Sequence, residues 1–259
     1  MKRVHIIGAP RSGTTLMLEL MSNGFRFTAI SKREVSLLEY PHGFPEDSTV
    51  CTKNPQDHRL VSTLIDRDEQ QWFISMVRDP RDIVCSRHGF HPEVYWANLR
   101  QWRAWLDNTR PYRTHPRMIE IRYEDLVRSP DEVQQEIAAR LPFLPVRNAF
   151  SEFHKFAKPS DQSLNAMGDV RPVSDASVGR WKSNLARLAG QLQVHGSVSA
   201  ELIEFGYETD EKWLGLLEGI EPDTSPGHWP EFIPQEWEDQ YQERQKAMLA
   251  KYLQARKLP

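Results

Sequence analysis

The segment Val4–Leu20, VHIIGAPRSGTTLMLEL, constrains the fold more than any other stretch of this sequence. Its first residues predict a buried strand, and apolar residues at helical spacing follow a turn of glycine, proline and serine. A strand, a glycine-rich turn and a helix in this order direct backbone N–H groups and the positive end of the helix toward one point. The segment therefore predicts an anion-binding loop.

The residues of this loop favour a compact anion. From Gly8 the spacing matches a phosphate-binding loop, yet Thr14 and Thr15 stand where nucleotide triphosphatases carry lysine and a magnesium-binding hydroxyl. Arg11 enters the loop earlier and supplies a permanently charged, planar group that suits phosphate. Further hydroxyl and backbone donors come from Ser12, Gly13, Thr14 and Thr15. A turn that uses glycine and proline only for its geometry is the alternative.

Short strands alternate with helices beyond this loop, which is typical of an α/β fold with a mostly parallel sheet. The predicted strands cover residues 49–52, 72–77 and 117–123, and the predicted helices begin near residue 81 and cover residues 93–108 and 131–140. The aromatic stripe from Trp96 to Leu106 indicates core packing more than a ligand pocket. Tyr95, Trp96 and Trp105 nevertheless remain candidates for the wall of an acceptor site.

Composition and charge limit the classes of function. The chain has 259 residues, of which 39% are hydrophobic and 27% charged, as in globular proteins. Its net charge of −3 provides no overall field for nucleic acid. No run approaches the roughly 18 apolar residues of a membrane span, and two cysteines are too few for a disulfide framework. We expect a cytoplasmic protein that binds no nucleic acid and has no membrane span.

The composition changes near Gly219, where GIEPDTSPGHWPEFIP reads as a wrapping or linking segment. A charged helix follows it, with a sparse apolar stripe formed by Trp237, Tyr241, Met248 and Tyr252. We expect one domain over residues 1–218. Residues 219–259 would then form a segment and helix that pack on the domain surface or in the contact of a homodimer.

A second candidate phosphate site lies in FISMVRDPRDIVCSRH. Arg78 ends a predicted strand, and Ser86 follows eight residues later, on the helix predicted to come next. Both side chains would then lie on the same side and could hold one phosphate. A capped turn with local ion pairs is the alternative for RDPRD taken alone.

Together these motifs resemble the sulfotransferases that use 3′-phosphoadenosine 5′-phosphosulfate (PAPS). PRSGTT resembles their 5′-phosphosulfate loop, in the arginine form of the bacterial and Golgi-type branch, and Arg78 with Ser86 resembles their 3′-phosphate motif. RYEDLV and PVSDASVGRW resemble two further segments, and imply cofactor contacts by Tyr123, Ser177 and Arg180. The resemblance covers residues 3 to about 210 and implies a three-layer, P-loop-like fold with helices flanking the sheet. Leu16 replaces a tryptophan that stacks on adenine in the cytosolic branch.

The resemblance also implies the chemistry, which is metal-independent sulfuryl transfer to a hydroxyl or amine of a small-molecule, carbohydrate or lipid acceptor. Arg11 would serve the leaving phosphate, and Lys53 in CTKNP would contact the transferring group, although a surface lysine is the alternative. Glu34 matches the catalytic glutamate of the Golgi-type enzymes. Lys32 and Arg33 lie nearby and would favour its ionised form.

Alternatives to these assignments stay open. Glu39, His42 and His58 are the other candidate bases. A P-loop kinase or NTPase with an atypical loop would need an acidic, magnesium-binding strand end, whereas the strand that ends at Val77 is followed by Arg78. A non-catalytic nucleotide-binding module would bind the cofactor without turnover.

Overall fold

A parallel five-stranded sheet forms the centre of the chain in a computed structural model, which describes residues 1–39, 43–88 and 91–258. Its strand order is β2-β3-β1-β4-β7, and each neighbouring pair runs parallel. The strands are β1 Lys2–Gly8, β2 Ala29–Ile30, β3 Thr49–Lys53, β4 Gln71–Val77, β5 Arg87–His88, β6 His91–Tyr95 and β7 Met118–Arg122. Strands β5 and β6 pair separately as an antiparallel hairpin. The predicted α/β class with a mostly parallel sheet is confirmed.

Helices cover both faces of this sheet. The α-helices are α1 Thr14–Gly24, α2 Val61–Leu64, α3 Pro80–Val84, α4 Leu99–Thr109, α5 Tyr123–Arg128, α6 Pro130–Arg140, α7 Phe153–Phe156, α8 Asp161–Met167, α9 Leu185–His195, α10 Ser199–Glu204 and α11 Gln235–Arg256. Short 3-10 helices lie at Pro55–Leu60, Arg110–Tyr112, Phe150–Glu152, Arg180–Ser183 and Lys212–Leu217.

The alternation of side chains along β1 and β4 separates the layers, since successive residues of a strand point to opposite faces. Val4 and Ile6 join the core formed with α1, α5 and α6. Ile7 and Phe73 join a core on the other face, which includes residues of α2 and α11, and Val77 joins the core of α3, α4 and α9. Helices therefore lie on both sides of the sheet, as the predicted three-layer fold requires.

One helix prediction is wrong at its start. Residues 93–95, predicted as helical, belong to strand β6, and α4 begins only at Leu99. The side chain of Asn98 accepts a hydrogen bond from the Gln101 N–H, which is the capping contact that begins a helix. The apolar spacing correctly predicted a helix here, but no local signal marked the hairpin that precedes it.

The aromatic stripe of α4 lies in the core. Trp102 and Trp105 are fully buried, and the Trp105 indole Nε1 donates a hydrogen bond to Ser75 Oγ on β4 at 3.1 Å. Trp105 is therefore unavailable as the wall of an acceptor site. Trp96 lies outside the helix and stacks on His228 with 3.8 Å between the ring centroids.

The C-terminal half of α11 packs against the sheet layer. Tyr252 is buried, and its hydroxyl donates to Asp68 Oδ2 at 2.6 Å and accepts from Gln71 Nε2 at 2.9 Å. Arg256 donates to both oxygens of Asp68. Trp237, near the start of α11, is 55% exposed. Across the described ranges, no helix combines the length and apolar character needed to cross a membrane.

Asp68 is the anchor of α11, and its replacement by asparagine tests that role. Burial alone would raise the pKa of Asp68, but the hydrogen bonds from Arg256 and Tyr252 outweigh it and lower the pKa to about 2. The contribution of ionised Asp68 to the free energy of unfolding is therefore fully present above the unfolded pKa of 3.8, and it is lost as the pH falls toward 2. We expect Asp68→Asn to lower the free energy of unfolding at pH 7 by about 2 kcal/mol in urea titrations.

Asp66→Asn is the matched control, because Asp66 is exposed and pairs only at the surface with His115. Its loss should cost less than about 1 kcal/mol. Equal losses for the two variants would contradict the assignment of Asp68 as the anchor.

Candidate functional site

The loop between β1 and α1 has an unusual backbone. Arg11 has a φ of 69° and Gly13 a φ of 97°, both in the left-handed region. Such a conformation costs a residue other than glycine about 1 kcal/mol and is typical of functional loops. When residues with positive φ alternate with residues with negative φ, as at Arg11, Ser12 and Gly13, the successive backbone N–H groups form a concave surface that suits an anion. Gly13 also precedes α1 without offering it a side-chain cap.

Two glycines are required by close packing in the loop. A Cβ atom on Gly8 would lie 2.4 Å from Ser12 Oγ, and one on Gly13 would lie 2.5 Å from the ring of Tyr123. Ser12 is completely buried, and its hydroxyl has no hydrogen-bond partner among the described residues. An unpaired buried hydroxyl is uncommon in a folded protein, and this one lies directly beneath the residues of the loop that line the cleft.

Two arginines meet beside this loop without a carboxylate between them. Arg78 Nη1 donates to the carbonyl of Arg11 at 2.9 Å, and Arg11 Nε donates to Ser86 Oγ at 3.0 Å. Arg78 Nε is buried and unpaired, and neither arginine forms an ion pair with a carboxylate of the described residues. Burial and the charge of Arg78 lower the pKa of Arg11 to about 10. The pair therefore lacks the negative charge that would balance it.

Tyr123 and the segment 174–184 complete this side of the site. The guanidinium of Arg78 lies 4.2 Å from the centroid of the Tyr123 ring, and the Tyr123 hydroxyl is 2.9 Å from Ser177 Oγ. Arg78 Nη2 also donates to the Ser177 carbonyl at 2.7 Å. Arg180, in contrast, is exposed, and its Nε donates to the carbonyl of Ala176. Arg180 lines the cleft but makes no contact with the arginine pair.

Asp82 fixes this late segment to helix α3, a role that the sequence did not reveal. Its buried carboxylate accepts hydrogen bonds from the backbone N–H groups of Gly179, at 2.7 Å, and Trp181, at 3.0 Å. An acidic residue in the first turn of a helix is common for electrostatic reasons. The sequence therefore gave no signal of this contact, which spans almost 100 residues of chain.

Ser86 reaches the site from a different element than predicted. Helix α3 ends at Val84, and Ser86 lies after it, at the start of the β5–β6 hairpin. Its carbonyl accepts the Trp96 N–H, which closes that hairpin. Ser86 still faces Arg11, but the predicted helical spacing is not the reason.

The loop, the arginine pair and the late segment surround one cleft with a volume of about 480 Å³. Its polar groups near the arginine pair follow β1 and β4, and others come from Tyr123 and from the chain after α8, including Asp169, Arg171 and Arg180. Its apolar wall is formed by Leu16, Phe153, Met167 and Val173. A cleft with a charged end and an apolar wall suits an anionic ligand that also carries a ring system.

Lys53 connects the loop to Glu34. Lys53 ends β3, and its Nζ donates to Thr15 Oγ1 at 2.9 Å and lies 2.9 Å from Glu34 Oε1. The ion-pair partner of Glu34 is thus Lys53, whereas Arg33, predicted to favour its ionised form, pairs with Glu39 at 3.3 Å. Lys53 is nearly buried, so the alternative of a surface lysine is wrong.

The other candidate bases lie elsewhere. His58 is buried and lines a separate small cavity with Arg59 and Arg100. Burial, helped by the charge of Arg59, lowers the pKa of His58 to about 3. Glu39 is exposed and paired with Arg33, and His42 lies outside the described residues.

Comparisons with known proteins concern the family of the chain and its fold. The family model of the sulfotransferase domain matches residues 1–185. The sulfotransferase domain of the Synechococcus PCC 7002 olefin synthase is similar, with a TM-score of 0.50, 16% identity and coverage of 71% of this chain and 88% of that chain. The sulfotransferase domain from the curacin biosynthetic pathway has a TM-score of 0.45 at 15% identity, covering 71% and 97% of the two chains.

Mouse sulfotransferase SULT7A1, solved in complex with PAP, has a TM-score of 0.45 at 16% identity and covers 70% of this chain and 78% of its own. A search of curated proteins found no match. At identities this low, similarity to a solved structure bears on the fold alone. The family model, in contrast, matches most of the chain. On the strength of that match, the chain belongs to the sulfotransferase domain family.

Proposed function

We propose that this chain transfers a sulfuryl group from PAPS to a hydroxyl or amine acceptor. The observation that carries the proposal is the pair of arginines, Arg11 and Arg78, which meet at the phosphate-type loop without a balancing carboxylate among the described residues. Two guanidinium groups in this arrangement suit a ligand with more than one phosphate-like group. Family membership agrees with a sulfuryl donor of this kind.

The residues of the cleft fit such a nucleotide. The 5′ end would be held by Arg11, Ser12, Gly13, Thr14 and Thr15, and the 3′-phosphate by Arg78 and Ser86. The unpaired Ser12 hydroxyl and Arg78 Nε offer donors that nothing else in the described chain uses. Tyr123, Ser177 and Arg180 are proposed as further contacts at the late segment.

The adenine would lie against the apolar wall of the cleft. Leu16, where the cytosolic branch carries a stacking tryptophan, contributes to this wall together with Met167 and Val173. Phe153 is the aromatic residue of this wall, but at the position of the stacking tryptophan the chain offers only the aliphatic Leu16. We therefore expect the phosphate groups to contribute more to affinity than the base does.

The bound cofactor would supply the sulfuryl group, and the residues of the chain would position it and move the proton. Arg11 would stabilise negative charge on the leaving phosphate. We assign the base that takes the proton of the acceptor to Glu34, because Lys53 links its carboxylate to Thr15 in the loop. Lys53 would keep Glu34 ionised and add positive charge beside the transferring group. The acceptor would be a small molecule, a carbohydrate or a lipid headgroup.

Cofactor binding can be tested by calorimetric titration with 3′-phosphoadenosine 5′-phosphate (PAP). We expect Arg78→Ala and Ser86→Ala each to weaken binding by about 10- to 100-fold, because each removes a hydrogen bond to a charged group. Arg110→Ala is the control, since Arg110 is exposed and pairs with Glu204. EDTA should leave the affinity unchanged. Tighter binding of ATP with magnesium would instead support a kinase or NTPase.

The role of Glu34 can be tested by transfer kinetics with radiolabelled PAPS. We expect Glu34→Gln to reduce kcat by about 100- to 10,000-fold, because the amide cannot accept the proton, and to change PAP affinity by less than about twofold. Glu39→Gln serves as the control, since it alters an exposed carboxylate of the same segment. Normal kcat in Glu34→Gln with a loss in Glu39→Gln would transfer the assignment to Glu39. Cofactor binding without turnover in the wild type would indicate a non-catalytic module.

A further inference from the structure

Arg3 is a fully buried charge in the central strand β1. Its guanidinium donates to the carbonyls of Ser36 at 2.9 Å, Leu37 at 2.8 Å and Glu39 at 3.1 Å. Its Nε donates to Thr52 Oγ1 at 2.8 Å. Arg3 therefore binds the backbone of one short segment, residues 36–39, regardless of the side chains there.

Burial of the charged Arg3 side chain in a strand has a desolvation cost, which a side chain that only fills space would not have. Burial lowers the pKa of Arg3, and Tyr252, Asp57 and the other surrounding acids only partly offset that effect. In the described part of the chain, Arg3 forms no ion pair with a carboxylate. An apolar side chain could fill a buried strand position without this desolvation cost. The specific contribution of Arg3 is thus the set of carbonyls that it holds.

Asp57 binds the same segment through a backbone N–H group, whereas Arg3 binds it through carbonyl groups. The Asp57 carboxylate accepts the Leu37 N–H and, at 3.1 Å, the side-chain amide of Asn54. His5 connects the two anchors, with Nδ1 2.7 Å from Thr52 Oγ1 and Nε2 3.2 Å from Asp57 Oδ2, although the latter contact is poorly aligned for a hydrogen bond. Burial lowers the pKa of His5, which favours its neutral form.

The fixed segment begins two residues after Glu34. The side chain of Glu34 is 42% exposed, so packing contributes little to its position. Its location beside Lys53 depends instead on the backbone, which is held by the Val35 N–H bond to the Lys53 carbonyl at 3.0 Å and by the anchors at residues 36–39. Removing an anchor would release the segment that presents the carboxylate.

We propose that Arg3 is a positioning residue for sulfuryl transfer, which fixes residues 36–39 and thereby holds Glu34 beside Lys53. The inference rests on the proposed function and assigns a role to a residue on the opposite face of β1 from α1. Arg3 touches neither cofactor nor acceptor. It acts only through the segment that carries Glu34.

Arg3→Lys tests this role, since lysine keeps the charge but cannot reach three carbonyls and a hydroxyl together. We expect kcat to fall by about 10- to 100-fold, as for a small misplacement of a catalytic group, with PAP affinity changed by less than about twofold. In a Glu34→Gln background the same substitution should change kcat by less than about threefold. Amide hydrogen exchange should accelerate in residues 35–39 and remain slow in α1.

Arg187→Lys is the matched control, because Arg187 is equally buried but donates to the carbonyl of Ser225 in the C-terminal segment. It should lower stability and leave kcat unchanged. If Arg3→Lys fails to fold, Thr52→Val replaces it, because this near-isosteric change removes the oxygen shared by Arg3 and His5.

The outcomes separate this inference from the proposed function. Two results with an active wild type would overturn the positioning role alone. One is an unchanged kcat in Arg3→Lys, and the other is an equal fall in kcat from Arg3→Lys in the wild type and in the Glu34→Gln background. A wild type that binds PAP but transfers no sulfuryl group would overturn the proposed function and, with it, the inference.

Discussion

The repulsion between two neighbouring guanidinium groups is the interaction on which the rest of the site depends. Arg11 and Arg78 extend from the ends of adjacent parallel strands, and Arg78 donates to the Arg11 carbonyl. Like charges in a partly buried place destabilise the fold unless a ligand or structural hydrogen bonds compensate. The left-handed backbone of Arg11, the Tyr123 ring and the segment held by Asp82 all keep these groups in place. The fold therefore maintains a site that a polyanion would stabilise.

The order of the strands explains why the site forms here. Because β1 lies between β3 and β4, its carboxyl end adjoins both Lys53 and Arg78. Ligands of open α/β sheets bind at the carboxyl ends of the strands, where loops from neighbouring strands converge. One side of the β1 end thus provides the arginine pair, and the other provides Lys53 with Glu34. The proposed separation of cofactor binding from proton removal follows from this topology.

The parts of the site that could be predicted from sequence are local. The loop after β1 was recognisable because its strand, glycines and hydroxyl residues are consecutive, and Arg78 because it follows an apolar strand directly. The pairing of Glu34 with Lys53 and the contacts of Asp82 join distant segments, and no short-range pattern encodes them. Residues 93–95 were predicted as helical because no local signal marks the β5–β6 hairpin, which is defined by pairing between separate segments. Arg3 lies just before the predicted strand, whereas in the structure β1 begins at Lys2, so the burial of this charge did not follow from the apolar pattern.

The most direct test of the account is a crystal structure of the chain with PAP. The account predicts one phosphate group within hydrogen-bond distance of Arg11 and Ser12 and the other at Arg78 and Ser86, with the adenine against Leu16. It also predicts that Glu34 stays beside Lys53 in the complex. A nucleotide bound elsewhere, or phosphate groups that leave both arginines without contact, would contradict it.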